Sequence, residues 1–360
     1  MTQLSRITSP DDPALETLVT RLRELGPGLE EEGAWVGQQL RACGEAGVFE
    51  WFLPEEFGGQ AWSDADVIRG YLKLSSACLT TTFVITQRTG ACQRIARSEN
   101  EQVTQELLPD LIAGNTFATV GISHLTTSRR HLAKPVLRAE ETSDGFLLDG
   151  FSPWVTGAPH ADHVVVGATM EDQRQVLMAL PMDLPGVSAP PPPQLVGLNA
   201  SQTGQVKLDN VRVDRRWLLA GPVENVMQTG AGARTGGLQT STLAVGLAAG
   251  AIEFIFAEGD QRSDLVEPAE HLMRDLAGCR NDLKSAAEGS PNCSNEDLRV
   301  RANSLALRAS QAALAAAKGA GYIASHPAGR WCREALFFLV WSCPQPVMNA
   351  NLCELAGIEA

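Results

Sequence analysis

The spacing of apolar residues changes twice along the chain. From Asp12 to about Gly114 they recur every three or four positions, the period of a helix with one buried face. "PALETLVTRLRELGPGLEEEG" predicts a helix stopped by the Gly26-Pro27-Gly28 cluster. "VGQQLRACGEAGVFEWFLPEEFGG" predicts a second helix running into a turn. "SDADVIRGYLKLSSACLTTTFVITQRTGACQRIA" predicts one or two apolar helices, with Ser63 and Asp66 patterned as a capping box. "ENEQVTQELLPDLIAG" is a shorter helix closed by Gly114.

At Thr116 the helical period gives way to short runs rich in β-branched residues, punctuated by Gly, Pro, Asp and Asn. "TFATVGIS", "PVLRAEE", "GFLLDGFSPWVTGA", "DHVVVGATM", "QVLMALPM" and "TGQVKLDNVRV" read as strands. "SDG" at 143–145 reads as a hairpin turn, and "APPPPQ" at 189–194 as a stiff extended loop. Regularly spaced short strands predict an antiparallel barrel or sandwich. Helical spacing returns near Thr229. "LAVGLAAGAIEFIFAEG" is an Ala/Gly-rich buried helix, and two long amphipathic helices follow it, with Ser294 as the N-cap of the second. The expected organisation is an α+β multidomain chain: an N-terminal helical domain (1–115), a central β-domain (116–225) and a C-terminal helical bundle (226–360).

Composition narrows the function. A net charge of −13 argues against a nucleic-acid surface. The opening residues have no signal-peptide core, and no stretch approaches about 18 consecutive apolar residues, so no membrane partner is expected. Eight scattered cysteines and six histidines, without metal-type spacing, point to reduced thiols in the cytoplasm and to no metal site.

The helix–β–helix order and four local motifs resemble the acyl-CoA dehydrogenase superfamily. "GVFEWFLPEEFGG" is similar to the family's Pro-Glu-Glu-aromatic-Gly-Gly turn, and "GFLLDGFSPWVTGAPHADHVVVGA" to its Trp-Ile-Thr segment. "GLNASQTGQVKLDNVRV" resembles the strand closing the β-domain, and "KGAGYIASHPAGRWCREA" the Gly-Gly-x-Gly-Tyr turn with its Arg-Asp-Ala helix. The resemblance implies FAD between the β-domain and the helices, an acyl-thioester or other small-molecule substrate, and a homodimer or homotetramer. It also assigns residues. Trp154 matches the ring that packs on the flavin, Thr156 the hydroxyl near flavin N5, and Ser123 a family Thr that bonds the ring; Val155 lies between the first two, and Gly319 is the second glycine of the Gly-rich turn.

Several family features are replaced. The Gly-Ala-Gly-Ser-Asp loop has become "LTTSRRH" (125–131), where Arg129 and Arg130 are the groups that could meet an anion. The Arg-x-x-Phe-Gly motif gives way to "DQRSDLVEP", with Arg262 the candidate to compensate, and Lys318 stands in place of the first turn glycine. Counting on from Arg333-Glu334-Ala335 puts Trp341-Ser342-Cys343-Pro344 on the family's Tyr-Glu-Gly-Thr, so the catalytic glutamate position is Ser342. Serine is no general base near neutral pH without an activating partner. The alternative position for that glutamate falls near Thr240, and Glu253 lies three to four turns beyond it. Cys343 reads as a buried free thiol, Arg333 and Glu334 as a structural charge pair, and His326 as a cap or packing residue.

Three functions follow as expectations. The first is a flavin-dependent oxidoreductase with a non-standard mechanism or substrate, including a monooxygenase-like relative. The second is a binding or scaffold protein that keeps the fold without FAD. The third uses the acyl pocket for non-redox chemistry.

Overall fold

The computed structural model describes residues 4–126, 135–228, 230 and 237–358. Five helices come first: α1 (Pro13–Leu25), α2 (Gly37–Glu45), α3 (Asp64–Ala77), α4 (Leu79–Ala96) and α5 (Glu101–Ala113). Their starts obey the capping chemistry of the sequence. Asp12 accepts from the Ala14 N–H, Ser63 from that of Asp66 and Asn100 from that of Val103, each satisfying a donor that an open helix end would leave unpaired. Gly114, with φ +76°, ends α5 in the left-handed conformation.

The central strands are β1 (Ala118–Gly121), β2 (Leu137–Glu141), β3 (Gly145–Val155), β4 (His163–Thr169), β5 (Gln175–Pro181), β6 (Val187–Ser188), β7 (Gly204–Asp214) and β8 (Leu218–Val223), with the short helix α6 (Ser123–Thr126) after β1. They form one sheet in the order β6-β7-β3-β2-β4-β5-β8. Most pairings are antiparallel. Two are parallel: β1 runs beside β4 from Ala118↔His163 to Gly121↔Val166, and β2 touches the far end of the same edge at Arg138↔Thr169. The sheet is therefore mixed. The 143–145 turn joins β2 to β3 as expected, with the Thr142 N–H donating to the Gly145 carbonyl.

Five helices complete the fold: α7 (Gln239–Gly259), α8 (Val266–Ala287), α9 (Asn295–Ala317), α10 (Pro327–Ala335) and α11 (Gln345–Ala356). Ser294 caps α9 and His326 caps α10, the role read for each from sequence. The glycines of α7 have a packing reason. A Cβ at Gly250 would lie 2.4 Å from the Ser76 carbonyl oxygen, so α7 and α3 meet backbone to backbone, and the Ser75 hydroxyl donates to the Leu243 carbonyl at 2.7 Å. By length and composition α7 suits a membrane span, with mean hydropathy 1.6, but 78% of that apolar window is buried inside the fold. It is a core helix here.

Two apolar cores result. One is shared by the helices of both ends of the chain and includes Leu18, Leu74, Leu247, Leu305 and Phe338. The other lies under the sheet and includes Phe146, Val165, Leu177 and Val211. Each such fully buried side chain contributes about 1.5–3 kcal/mol. α4 belongs to both: Leu79, Phe83 and Ile85 pack in the first core, Ala91, Cys92 and Ile95 in the second. It is the strut that fixes the sheet against the helices, and the candidate site gathers along it.

Candidate functional site

β3 supplies the aromatic wall. Its pairing with β7 is irregular between Ser152 and Val155, and this irregularity re-aims the intervening residues. Val155 is fully buried, whereas the large ring of Trp154 is 50% exposed. Thr156 turns inward, and its hydroxyl accepts from Thr203 at 3.1 Å; Thr203 is joined to Ser201 at 2.8 Å. Accepting from Thr203 leaves the Thr156 proton to donate elsewhere. The chain turns sharply at Gly157, φ +69°, where a Cβ would lie 2.6 Å from Phe117 and 2.8 Å from Trp35.

Ser123 comes to the same end of the sheet. Gly121, two residues earlier, faces β3 so closely that a Cβ there would lie 2.8 Å from Ser152 Oγ and 3.2 Å from Val155 Cγ2. Ser123 is half-buried at the start of α6. The loop before β7 then ties this end to the last helices, because Gly197 rests on the Arg333 carbonyl of α10, with 2.8 Å between that oxygen and the place of a Cβ.

The Ser342 turn lies after α10. A short 3-10 segment, Leu336–Leu339, leads into it, and it is docked on α4 by aromatic rings. Trp341 stacks on Phe337, with centroids 5.0 Å apart at 14°, and both meet Phe83 edge-on. Two side chains of α9 hold its backbone. Arg299 donates to the Trp341 carbonyl at 2.8 Å and to Asn303 Oδ1 at 2.9 Å, and Asn303 donates to the Phe338 carbonyl at 3.1 Å. Burial pushes the Arg299 guanidinium down to about 10, still charged at neutral pH. Ser342 itself is exposed, with φ +45°, an unusual conformation for a residue bearing a side chain.

Several residues near the positions weighed for a base are engaged elsewhere or buried. Glu253 is on the outside of α7, in a salt bridge to Arg23 at 2.5 Å. Glu354 on α11 accepts from Ser304 at 2.5 Å. Thr240 is buried in the first turn of α7. Burial raises the Cys343 thiol above its ordinary value, more than nearby Arg299 lowers it, which disfavours its thiolate. Arg333 and Glu334 do not pair with each other. Adjacent helical residues diverge, and Arg333 bridges to Glu30 at 2.5 Å while Glu334 is buried, accepting from Thr80 at 2.7 Å. Lys318, with φ +52°, and Gly319 begin the turn after α9. Arg262 is held within its own chain, donating to the Ala316 carbonyl at 2.6 Å and lying 3.4 Å from Asp264. Arg129 and Arg130 lie outside the described residues.

Among the described residues no group of three or more His, Cys, Asp or Glu is placed to hold a metal. The sequence reading missed Arg299 and Asn303. Their signal was an Arg and an Asn four apart on an otherwise apolar helix face, a pattern that marks buried hydrogen bonding.

Comparison with known proteins bears on the fold and on part of the sequence. Residues 17–115 match the family model described as "Acyl-CoA dehydrogenase, N-terminal domain". A probable acyl-CoA dehydrogenase of Bacillus subtilis is 25% identical over 256 residues, 68% of this chain and 67% of that protein. The glutaryl-CoA dehydrogenase of Desulfococcus multivorans is 26% identical over 194 residues, 51% of this chain and about half (49%) of the relative. Among solved structures, a glutaryl-coenzyme A dehydrogenase in complex with glutaryl-CoA superposes with a TM-score of 0.79 at 18% identity, covering 97% of this chain and 96% of the other. These likenesses lead to one assignment: residues 17–115 carry an acyl-CoA dehydrogenase N-terminal domain, and the whole chain has the acyl-CoA dehydrogenase fold.

Proposed function

We propose that the protein is a flavin-dependent oxidoreductase that does not carry out ordinary acyl-CoA dehydrogenation. The observation that supports this reading is a contrast along the chain. Trp154 is half-exposed just before the inward-turned Thr156, as a flavin contact would need, whereas the exposed turn that matches the family's catalytic glutamate carries Ser342.

The residues present fit the ring of FAD. A half-exposed Trp154 offers an aromatic face at the end of a rigid strand, and Thr156 has a proton to donate. Bound FAD would supply a ring able to accept hydride from a substrate or to carry electrons onward. Trp154, Val155, Thr156 and Ser123 would hold it, with Gly319 in the turn beyond α9. What the chain lacks is the group that removes the α-proton of an acyl thioester. The substrate is therefore one that gives up electrons without that step. Arg262 favours a second reading, a flavin-free binding protein, because it is already committed to Ala316 and Asp264.

Titrating the purified full chain with FAD decides between them. The expected result is saturable uptake with a visible flavin absorbance, weakened about tenfold or more in Trp154→Ala, since stacking on a large aromatic ring is worth roughly 0.5–1.5 kcal/mol beyond its area. An absence of uptake would favour the flavin-free reading.

We also propose self-association into a dimer or tetramer. The Ala/Gly-rich face of α7 is buried inside its own chain. The support lies instead at the C-terminal edge, where Val340, Leu352, Leu355 and Ile358 are each more than half exposed. Sedimentation at micromolar concentration should show an oligomer, and Leu352→Lys/Leu355→Lys should shift it toward monomer; a monomer in the unmodified protein would contradict this.

A further inference from the structure

The sequence motif "FEWFLPEEFGG" builds more than a turn. Between it and the last turns of α4 lies a cavity of about 400 Å³, within the size range of small-ligand sites. None of its lining residues belongs to the flavin-facing site.

Its walls are aromatic. Trp51, Phe52, Phe57 and Trp62 all line it, and Trp51 and Trp62 are stacked face to face with centroids 4.2 Å apart. Trp51 is fully buried, yet its indole N–H meets no acceptor among the described residues, the kind of orphaned donor that a ligand or water satisfies. The polar side comes from α4. Gln93 reaches across to the Phe52 carbonyl, and Arg97 lies one turn further on, exposed and in no ion pair among the described residues. Arg94, close enough to interact electrostatically with Arg97, is itself buried with two guanidinium nitrogens unpartnered. The α4 side is therefore locally positive in a chain of net charge −13. Glu56 lines the cavity from the turn and is likewise in no ion pair among the described residues.

We infer that this cavity binds a planar aromatic monocarboxylate, its ring held among the indole and phenyl walls and its carboxylate on Arg97. Stacked aromatic rings favour a flat apolar body, and an unpaired guanidinium selects an anionic end through charge-assisted bonds. Glu56 works against a second negative charge, which disfavours nucleotides and phosphate esters. The volume suits one or two fused rings.

Calorimetric titration of the full chain with phenylacetate and indole-3-acetate tests this, with phenethylamine and AMP as controls. The two acids should bind saturably, the amine and the nucleotide at least tenfold more weakly. Arg97→Gln should weaken the acids by about 10–100-fold, the usual worth of a hydrogen bond to a charged group. Ala96→Trp, which fills the cavity from α4, should abolish binding while circular dichroism reports an unchanged fold. The site is overturned if neither acid binds, if the amine or nucleotide binds as well as the acids, or if both variants bind the acids as the unmodified chain does. FAD uptake is measured separately and does not bear on the outcome.

Discussion

Ser342→Glu is expected to raise the rate at which a saturated acyl-CoA bleaches the bound flavin by about 10²–10⁴-fold, the range that general-base assistance supplies. The unmodified turn gives a barely detectable rate, because a serine hydroxyl holds its proton near neutral pH and no partner on the turn removes it. The substitution should be tolerated. Ser342 is exposed, and the turn is held through its backbone carbonyls and its neighbouring rings, not through the serine side chain. Stopped-flow absorbance reads the outcome. A variant that binds FAD but gains nothing would mean that the thioester pocket has also diverged, and the substrate would then have to be sought outside the acyl-CoA class.

The second large effect concerns stability. Glu334→Ala should cost about 1–3 kcal/mol, the range for leaving a buried polar group without its partner, here the Thr80 hydroxyl that donates to it. Glu334 is 1% exposed and Arg330, four residues earlier on α10, is 5% exposed; they interact electrostatically, but no ion pair joins them among the described residues. Glu334→Gln keeps an acceptor for the Thr80 hydroxyl and should cost much less. The pH dependence separates the two roles. Burial raises the Glu334 carboxyl above its ordinary value, with Arg330 opposing. The folded state therefore holds this proton at pH values where the unfolded chain has lost it. Its stabilising contribution is complete below the unfolded pKa, near 4.5, and is lost as pH rises through the folded value. Denaturant titrations across that window should show the unmodified protein losing stability relative to Glu334→Gln as pH increases. Parallel curves for the two proteins would show that Glu334 ionises at its ordinary value in the folded state.

Much of the fold was legible because its signals are local. Ser63, Ser294 and His326 cap helices, and β2, β3, β4, β5 and β7 follow alternation and turn residues that lie within the same few positions. β6 and β8 were not read. One has only two residues beside a proline-rich loop, and the other contains Gly221-Pro222, which breaks the strand pattern. The sharing of one core by the first and last helices was also hidden, since it rests on contacts such as Ser75 with Leu243, 168 residues apart. The site divides the same way. Trp154 lies near the end of β3 and Thr156 just beyond it, so a three-residue motif holds both. The grip of Arg299 on the Trp341 carbonyl spans 42 residues, and its local trace is only the Arg and Asn four apart on α9. Glu334 read as one half of a charge pair with Arg333. Its burial follows from sharing the Arg330, Trp331 and Ala335 side of α10, which packs into the fold.

The account rests on a protein that keeps the flavin wall and has lost the base. Its most direct test is anaerobic mixing of the FAD-loaded, unmodified chain with a series of saturated acyl-CoA thioesters while the flavin absorbance is followed. The account predicts a flavin band that is present and persists through mixing. Rapid bleaching would contradict it, by showing that a carboxylate reaches the α-proton after all.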